Sequence, residues 1–254
     1  MKKSFAFDLD GTLLKNDKSL SAPAVCALTA CLRAGHTLCI ATGRPPRDVR
    51  GILPPALADI PLVCYNGARI DQGNVVLFSR TISRRDALEI LSLAEKANIG
   101  QVFFEIDDVL HANFDLSAVW TGAKTAPEDL AALSFAGVHK VIACASPAAI
   151  AAFASALPAD VSASVTDADC ICQIAAKGVS KASGVRFLAE REGISMRDAV
   201  AFGDDANDIE MLKECGIGVA MGNASAQVKA AAKYIAESNE EDGVAKFLRQ
   251  YCKI

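Results

Sequence analysis

The sequence predicts an α/β protein: a doubly wound, parallel-sheet core interrupted by an inserted α+β domain. Three observations predict it. Short apolar runs ending in polar residues alternate with helix-length stretches in the first third and again in the last. These runs are apolar throughout, as expected of strands covered on both faces. The middle third breaks the alternation and mixes short strands with helices. At 254 residues the chain suits one large domain or two modest ones. We expect residues 1–81 and 182–254 to form the core and 82–181 the insertion.

The elements follow in order. Ser4 to Asp8 reads as a buried strand ending on an acid. A helix from Ser21, an N-cap with Pro23 behind it, runs to Ala34, and Gly35 stops it. Thr37–Ala41 is the second strand, ending in Thr42-Gly43-Arg44, and a Pro-punctuated helical stretch leads to a third at Pro61–Tyr65. Ala68 to Phe78 reads as a hairpin turning at Asp71-Gln72-Gly73-Asn74. In the insertion, Ser83 and Asp86 make a capping-box-like start to a helix reaching Asn98. Strands follow at Val102–Ile106, Val138–Ala143 and Cys170–Ala175, with an Ala-rich helix over Ser146–Leu157. The alternating pattern returns near Lys181 with a helix to Arg191 and a strand Ala199–Phe202 before Gly203-Asp204-Asp205. A helix from Asn207, a strand Gly218–Ala220, a helix from Ser225, a short strand Tyr234–Ala236 and a helix from Asp242 complete the chain.

Composition excludes several classes. Lys+Arg 26 against Asp+Glu 30 leaves a net charge of −4, the wrong sign for a nucleic-acid protein. With 52% hydrophobic residues, long disorder is not expected. No stretch of about 18 uncharged apolar residues is present to span a membrane. The apolar run after Met1-Lys2-Lys3 is cut by Asp8 and Asp10, too early for a signal peptide. The nine cysteines form no metal-binding spacing, and several lie in apolar runs, so we expect buried, reduced thiols and a cytoplasmic location.

Chemistry concentrates at the carboxyl ends of the core strands, where open α/β sheets bind ligands. Four ends are polar: Asp8-x-Asp10, Thr42-Gly43, Tyr65-Asn66-Gly67 and Gly203-Asp204-Asp205. A parallel sheet puts them along one edge, and carboxylates so crowded need a compensating cation. An oxygen-only donor set selects a hard ion, Mg²⁺. Gly11 lets the backbone turn closely past a ligand. The Thr42 hydroxyl and nearby N–H groups suit an anion, although Thr42 also reads as a helix cap. Arg44 is open between a structural ion pair and a substrate contact, and Lys181 between a surface lysine and a ligand. Gly203-Asp204-x-x-Asn207-Asp208 sets polar groups around one turn at a helix start.

Together Asp8-Leu9-Asp10-Gly11-Thr12-Leu13, Ala41-Thr42-Gly43-Arg44, Lys177-Gly178-Val179-Ser180-Lys181 and Gly203-Asp204-Asp205-Ala206-Asn207-Asp208 resemble the haloacid dehalogenase-like phosphohydrolases, in the family's order. Asn66-Gly67-Ala68 and Ala220-Met221-Gly222-Asn223-Ala224 are similar to the Cof-like subfamily, which carries a type IIB cap. Ala182 and Ser183 depart from the Gly and Thr common in the family. The resemblance implies a Rossmann-like core with an inserted cap, and a Mg²⁺-dependent phosphatase of small phosphorylated metabolites, with sugar phosphates expected. It implies that Asp8 is the nucleophile forming an aspartyl-phosphate and that Asp10 is the general acid and base. It implies Mg²⁺ on Asp8, Asp204 and the Asp10 carbonyl. The phosphoryl oxygens are then bound by Thr42, Lys181, Asn207 and the N–H groups of Leu9 and Gly43, with Asp208 and Arg44 in support. The alternatives are a phosphomutase of the same superfamily and a phospho-Asp signalling module, the latter disfavoured by length and by an acceptor on the first strand. Specificity is expected from the insertion, where Glu105, Asp107, His111 and Lys140 are exposed polar candidates; His111 and His139 read as ordinary strand or loop residues.

Overall fold

A computed structural model describes residues 2–116, 126–166 and 170–253. They form two compact units, 1–78 with 180–254 and 79–179. These divisions fall a few residues from the expected boundaries, and Lys181 belongs to the first unit because it is the first residue of a core helix.

In chain order the elements are β1 (Ser4–Phe7), α1 (Ala22–Arg33), β2 (Thr37–Ala41), α2 (Pro46–Ile52), β3 (Leu62–Cys64), β4 (Arg69–Gln72) and β5 (Val75–Ser79). The second unit contributes β6 (Ile82–Ser83), α3 (Arg84–Lys96), β7 (Gln101–Ile106), β8 (Val109–Ala112), β9 (Gly137–Val138) and β10 (Lys140–Cys144). It ends with α4 (Pro147–Ser155), β11 (Val161–Thr166) and β12 (Ile171–Ala176). The first unit resumes with α5 (Lys181–Arg191), β13 (Ala199–Gly203), α6 (Ile209–Glu214), β14 (Ile217–Ala220), α7 (Ala226–Ala231), β15 (Tyr234–Ile235) and α8 (Gly243–Cys252).

The core sheet has the order β15-β14-β13-β1-β2-β3-β4-β5. It is parallel from β15 to β3, and β4 returns antiparallel to β3. The chain winds outward from β1 on one side through β2 and β3, and on the other through β13 and β14. β1 is therefore the switch point at which ligands bind in such sheets. Its residues Phe5, Ala6 and Phe7 are buried, as are Cys39 and Ile40 of β2 and Val200 to Phe202 of β13. Sheets covered on both faces select such continuous apolar strands. The Phe7 and Phe202 rings stack at 5.1 Å across the β1–β13 pair.

The second unit is built on an antiparallel sheet, β11-β12-β10-β7-β8. One face of β7 and β10 gives Val102, Phe104, Val141 and Ala143 to a core packed by Ile90 and Leu91 of α3 and by Ile150 and Phe153 of α4. On the other face Phe103 and Ile142 cluster with Ala112 and Leu116.

Several expectations need correction. The helix expected from Asn207 begins at Ile209, after a single 3-10 turn over Ala206–Asp208. At α3 the Asp86 N–H donates to the Ser83 hydroxyl, but the Asp86 carboxylate takes the Ser83 hydroxyl rather than its backbone N–H. Glu105 is not an exposed candidate: it is 5% exposed, near the end of β7. All nine cysteines are free, but Cys26 is exposed on α1 and Cys144, Cys170 and Cys252 are half-buried. His111 accepts or donates at Nδ1 to Glu128 at 2.8 Å, and His139 Nε2 lies 3.0 Å from the Ser79 hydroxyl. No helix among the described residues is long and apolar enough to cross a membrane.

Candidate active site

The site is assembled by backbone turns that leave four core strands. After β1 the chain turns so tightly that the Leu9 carbonyl accepts from the N–H groups of Thr12, Leu13 and Leu14. Gly11 makes the turn at φ +76°, and a Cβ there would lie 2.2 Å from Asp204 Oδ2. No other residue fits that approach. The Thr12 hydroxyl then donates to Asp204 Oδ1 at 2.7 Å, tying the β1 turn to the end of β13. Asp8 itself is fixed by its N–H, which donates to the Phe202 carbonyl at 3.0 Å.

Lys181 is the hub. It is the first residue of α5, whose N-cap Ser180 accepts from the Ser183 N–H and whose own N–H donates to the Ser183 hydroxyl. Its Nζ donates to Asp8 Oδ1 at 2.7 Å, Asp208 Oδ1 at 2.8 Å and Asn207 Oδ1 at 3.2 Å. Lys181 and Asp208 are essentially inaccessible, and Asp8 nearly so. The remaining Asp208 oxygen, Oδ2, accepts the N–H groups of Asp204 and Asp205, both at 3.0 Å. Gly203 makes room for this carboxylate, since a Cβ there would stand 2.4 Å from it.

Burial raises the Asp8 carboxyl, Lys181 pulls it back, and the Asp208 and Asp204 carboxylates push it up again, leaving it at about 8. Burial likewise raises Asp204. Burial opposes the charge on Lys181, but Asp8 and Asp208 outweigh it and hold the ammonium above its ordinary range. One ammonium thus faces three carboxylates, whose oxygens lie within 4.8 Å of one another. That surplus of negative oxygen donors is what a hard divalent cation compensates.

The acidic cluster brings together Asp8, Asp204 and Asp208. The Asp10 carboxylate faces elsewhere, and the atom expected of Asp10 at a cation is its backbone carbonyl. Arg44 holds Asp10 through Nε–Oδ2 and Nη2–Oδ1 contacts of 2.6 Å each, and Lys18 Nζ adds a third at 2.9 Å. Burial works to raise the Asp10 carboxyl, but these hydrogen bonds overcome it and hold it at about 2. Arg44 is therefore an ion-pair partner of Asp10. Asp208 spends both oxygens on Lys181 and the backbone, so Asp8 and Asp204 are the carboxylates left to hold a cation.

The second strand end brings Thr42, Gly43 and Arg44 to the same edge of the sheet. Thr42 is 1% exposed; its N–H donates to the Val63 carbonyl and its hydroxyl accepts the Arg44 N–H at 3.2 Å. Gly43 follows it. The sequence reading missed three residues here. Thr12 orients Asp204, Lys18 grips Asp10, and the Asn66 carboxamide accepts from Asn207 Nδ2 at 3.2 Å. Thr12 and Asn66 sat inside motifs already singled out. Lys18 carries no local signal, because its partner is set by the turn after β1.

Comparison with known proteins is consistent with this site. A sequence profile for haloacid dehalogenase-like hydrolases matches residues 5–248. The chain is 33% identical over 260 residues to the Bacillus subtilis 5-amino-6-(5-phospho-D-ribitylamino)uracil phosphatase YitU, covering 97% of this chain and 96% of that one. It is 30% identical over 278 residues to the Escherichia coli pyridoxal phosphate phosphatase YbhA, covering 96% of each. The solved structure of BT1666 from Bacteroides thetaiotaomicron, a phosphatase of the same superfamily, superposes with a TM-score of 0.90 at 25% identity, covering 100% of this chain and 96% of that one.

Proposed function

The chain belongs to the haloacid dehalogenase-like hydrolases and is a phosphoric monoester hydrolase of small phosphorylated metabolites; on that premise we propose that it uses Mg²⁺ and an aspartyl-phosphate intermediate. The observation that carries this reading is the buried Asp8–Lys181–Asp208 constellation beside Asp204, at the switch point of the sheet. A structural ion pair does not require three carboxylates around one ammonium.

In this reading Asp8 attacks phosphorus and the ester oxygen leaves, so one hard displacement becomes two easier ones. Lys181 Nζ, already 2.7 Å from Asp8, neutralises charge on the incoming phosphoryl group. The Thr42 hydroxyl, the Asn207 side chain and the N–H groups of Leu9 and Gly43 bind the phosphoryl oxygens. Asp208 fixes Lys181 and the turn carrying Asp204. The Asp8 and Asp204 carboxylates, with the Asp10 carbonyl, would hold a Mg²⁺ ion, which would supply further positive charge against the phosphoryl group. Asp10 serves the leaving alcohol as acid and the attacking water as base. Paired with Arg44 and Lys18 it is ionised, the form that activates water. To act as an acid it must first take a proton from solvent, which requires that pairing to loosen, as when an anionic substrate competes for the two cations.

The substrate class we propose is sugar phosphates and related primary-alkyl phosphates. The phosphoribityl group named for the Bacillus relative supports it. The deciding experiment measures inorganic phosphate released from a panel of phosphate monoesters, with chelator and with added Mg²⁺. Mg²⁺-dependent release from alkyl phosphates is expected. Transfer between sugar positions without release would point to a mutase instead, and full activity in rigorously metal-free protein would overturn the metal.

A further inference from the structure

The turn after β3 is the most strained segment near the site. Tyr65, Asn66 and Gly67 all have positive φ, at +51°, +55° and +103°. For Tyr65 this left-handed backbone is costly, and such conformations persist only where the surroundings enforce them. Contacts from the Thr42–Arg44 segment and from the start of α5 hold it. The Tyr65 N–H donates to the Arg44 carbonyl at 3.1 Å and the Asn66 N–H to the Thr42 carbonyl at 2.9 Å. Gly67 packs on the N-cap of α5: a Cβ there would meet the Ser180 carbonyl oxygen at 2.1 Å.

The strain delivers one side chain to a particular place. The Asn66 amide lies against Gly43, with Oδ1 3.2 Å and Nδ2 3.5 Å from where a Cβ on that glycine would be. Its Oδ1 accepts from Asn207 Nδ2 at 3.2 Å, while Asn207 Oδ1 accepts from Lys181 Nζ. Asn66 therefore touches Gly43 and Asn207 and rests on the backbone of Thr42. Among the described residues none accepts a hydrogen bond from its Nδ2. A half-buried carboxamide with its acceptor engaged and its donors uncommitted, beside Thr42, Gly43, Asn207 and Lys181, is complementary to an anion.

We infer that Asn66 is a further phosphate-binding residue: Nδ2 donates to the phosphoryl group, and Oδ1 holds the Asn207 amide with its oxygen toward Lys181. The inference rests on the function proposed above and extends its phosphate site by one residue. Binding the transferring group, Asn66 should act on all esters alike, whatever their leaving group.

Two variants separate this role from that of a turn residue. Gly and Asp both tolerate left-handed backbone, so neither Asn66→Gly nor Asn66→Asp disturbs the turn. The probe is orthovanadate, a mimic of the transferring phosphoryl group, scored as an inhibitor of nitrophenyl phosphate hydrolysis. Asn66→Gly should weaken vanadate about 10-fold, the scale of one hydrogen bond to a charged group. Asn66→Asp should weaken it further, about 100-fold, because a carboxylate replaces the donor. kcat/KM should fall in parallel for nitrophenyl and alkyl phosphates, with the thermal midpoint of Asn66→Gly unchanged or raised. If both variants bind vanadate within about 2-fold of the parent protein, Asn66 only makes the turn and the inference is overturned. It is equally overturned if Asn66→Asp binds normally while Asn66→Gly does not, since anchoring of Asn207 then explains everything. A parent protein that neither releases phosphate nor binds vanadate removes the underlying reading and this one together.

Discussion

At the scale of single residues, two aspartates two positions apart have opposite surroundings. Asp8 is buried among like charges around one ammonium, and its carboxyl is pushed up; Asp10 is clasped by two cations and pulled down. Different environments suit different roles. Asp8→Asn removes the attacking charge but keeps an oxygen for Lys181, so the protein should fold with a thermal midpoint near that of the parent. Its kcat should fall at least about 10³-fold, the scale for loss of a reacting group, as read by phosphate release. Asp10→Asn should lose about 10²–10⁴-fold on alkyl phosphates, whose leaving group needs a proton, and far less on the first step with nitrophenyl phosphate. Rapid mixing would show nitrophenolate release persisting while phosphorylated protein accumulates. Equal losses on both esters would remove Asp10 from proton transfer. The types and spacing of these acids were legible in the sequence because both lie in one short motif. The orientation of Asp10 was not, since Arg44 and Lys18 reach it only through the turn after β1. For the same reason Asp208, not the Asp10 side chain, completes the carboxylate cluster.

At the scale of elements, the site depends on where helices begin. The reach of Lys181 to Asp8 and Asp208 is set by the N-terminus of α5, fixed in turn by the reciprocal Ser180–Ser183 cap. Ser180→Ala removes the acceptor for the Ser183 N–H and should cost about 1 kcal/mol, a fall of roughly 2–4 °C in thermal midpoint. Frayed, the first turn no longer presents Lys181, so KM for phosphate esters should rise in the same variant. A calorimetric change with unaltered kinetics would show that the cap serves only stability. This helix was legible in outline, with its end at Arg191 and its start near Lys181, while the Ser180 cap that places Lys181 in the core was not. Of the strands that escaped the sequence reading, the two longer ones, β8 and β11, lacked clear local signals. β11, Val-Ser-Ala-Ser-Val-Thr, has little apolar bulk to mark a buried face. β8 is four residues long and follows a turn at Asp107-Asp108, both at positive φ, without the glycine that advertises a hairpin.

At the scale of the whole molecule, the core was legible because its strands are buried on both faces, while an antiparallel sheet with one small apolar cluster on its second face leaves a weaker trace. The core also concentrates its unbalanced charge at one strand edge, and that makes stability a function of pH and metal together. In metal-free protein the Asp8 carboxyl sits at about 8, against an unfolded value of about 3.9. The folded state therefore keeps a proton that the unfolded chain has lost. Such a group contributes its stability fully below pH about 4 and loses it as pH rises through about 8. Asp204 is shifted in the same direction. The raised Lys181 does not interfere, because its contribution is lost only at higher pH. His36, lowered by burial and by the nearby amino terminus and Lys3, titrates below this window. From pH 7 to about 8 the thermal midpoint of chelator-treated protein should thus fall; above about 8 the Asp8 contribution is already lost, and any further fall belongs to the buried thiols of Cys31, Cys39 and Cys215, which burial also pushes up. A cation on Asp8 and Asp204 must displace the retained proton, so binding releases acid and weakens as pH drops. The rise in midpoint at a fixed Mg²⁺ concentration should therefore grow from pH 7 to about 8 and then level off, and titration calorimetry in buffers of different ionisation enthalpy should detect proton release that disappears above about 8. In Asp8→Asn the pH dependence should flatten in both the metal-free and the Mg²⁺-loaded protein. A Mg²⁺ increment that stays constant across the window, with no proton released, would place the cation away from Asp8.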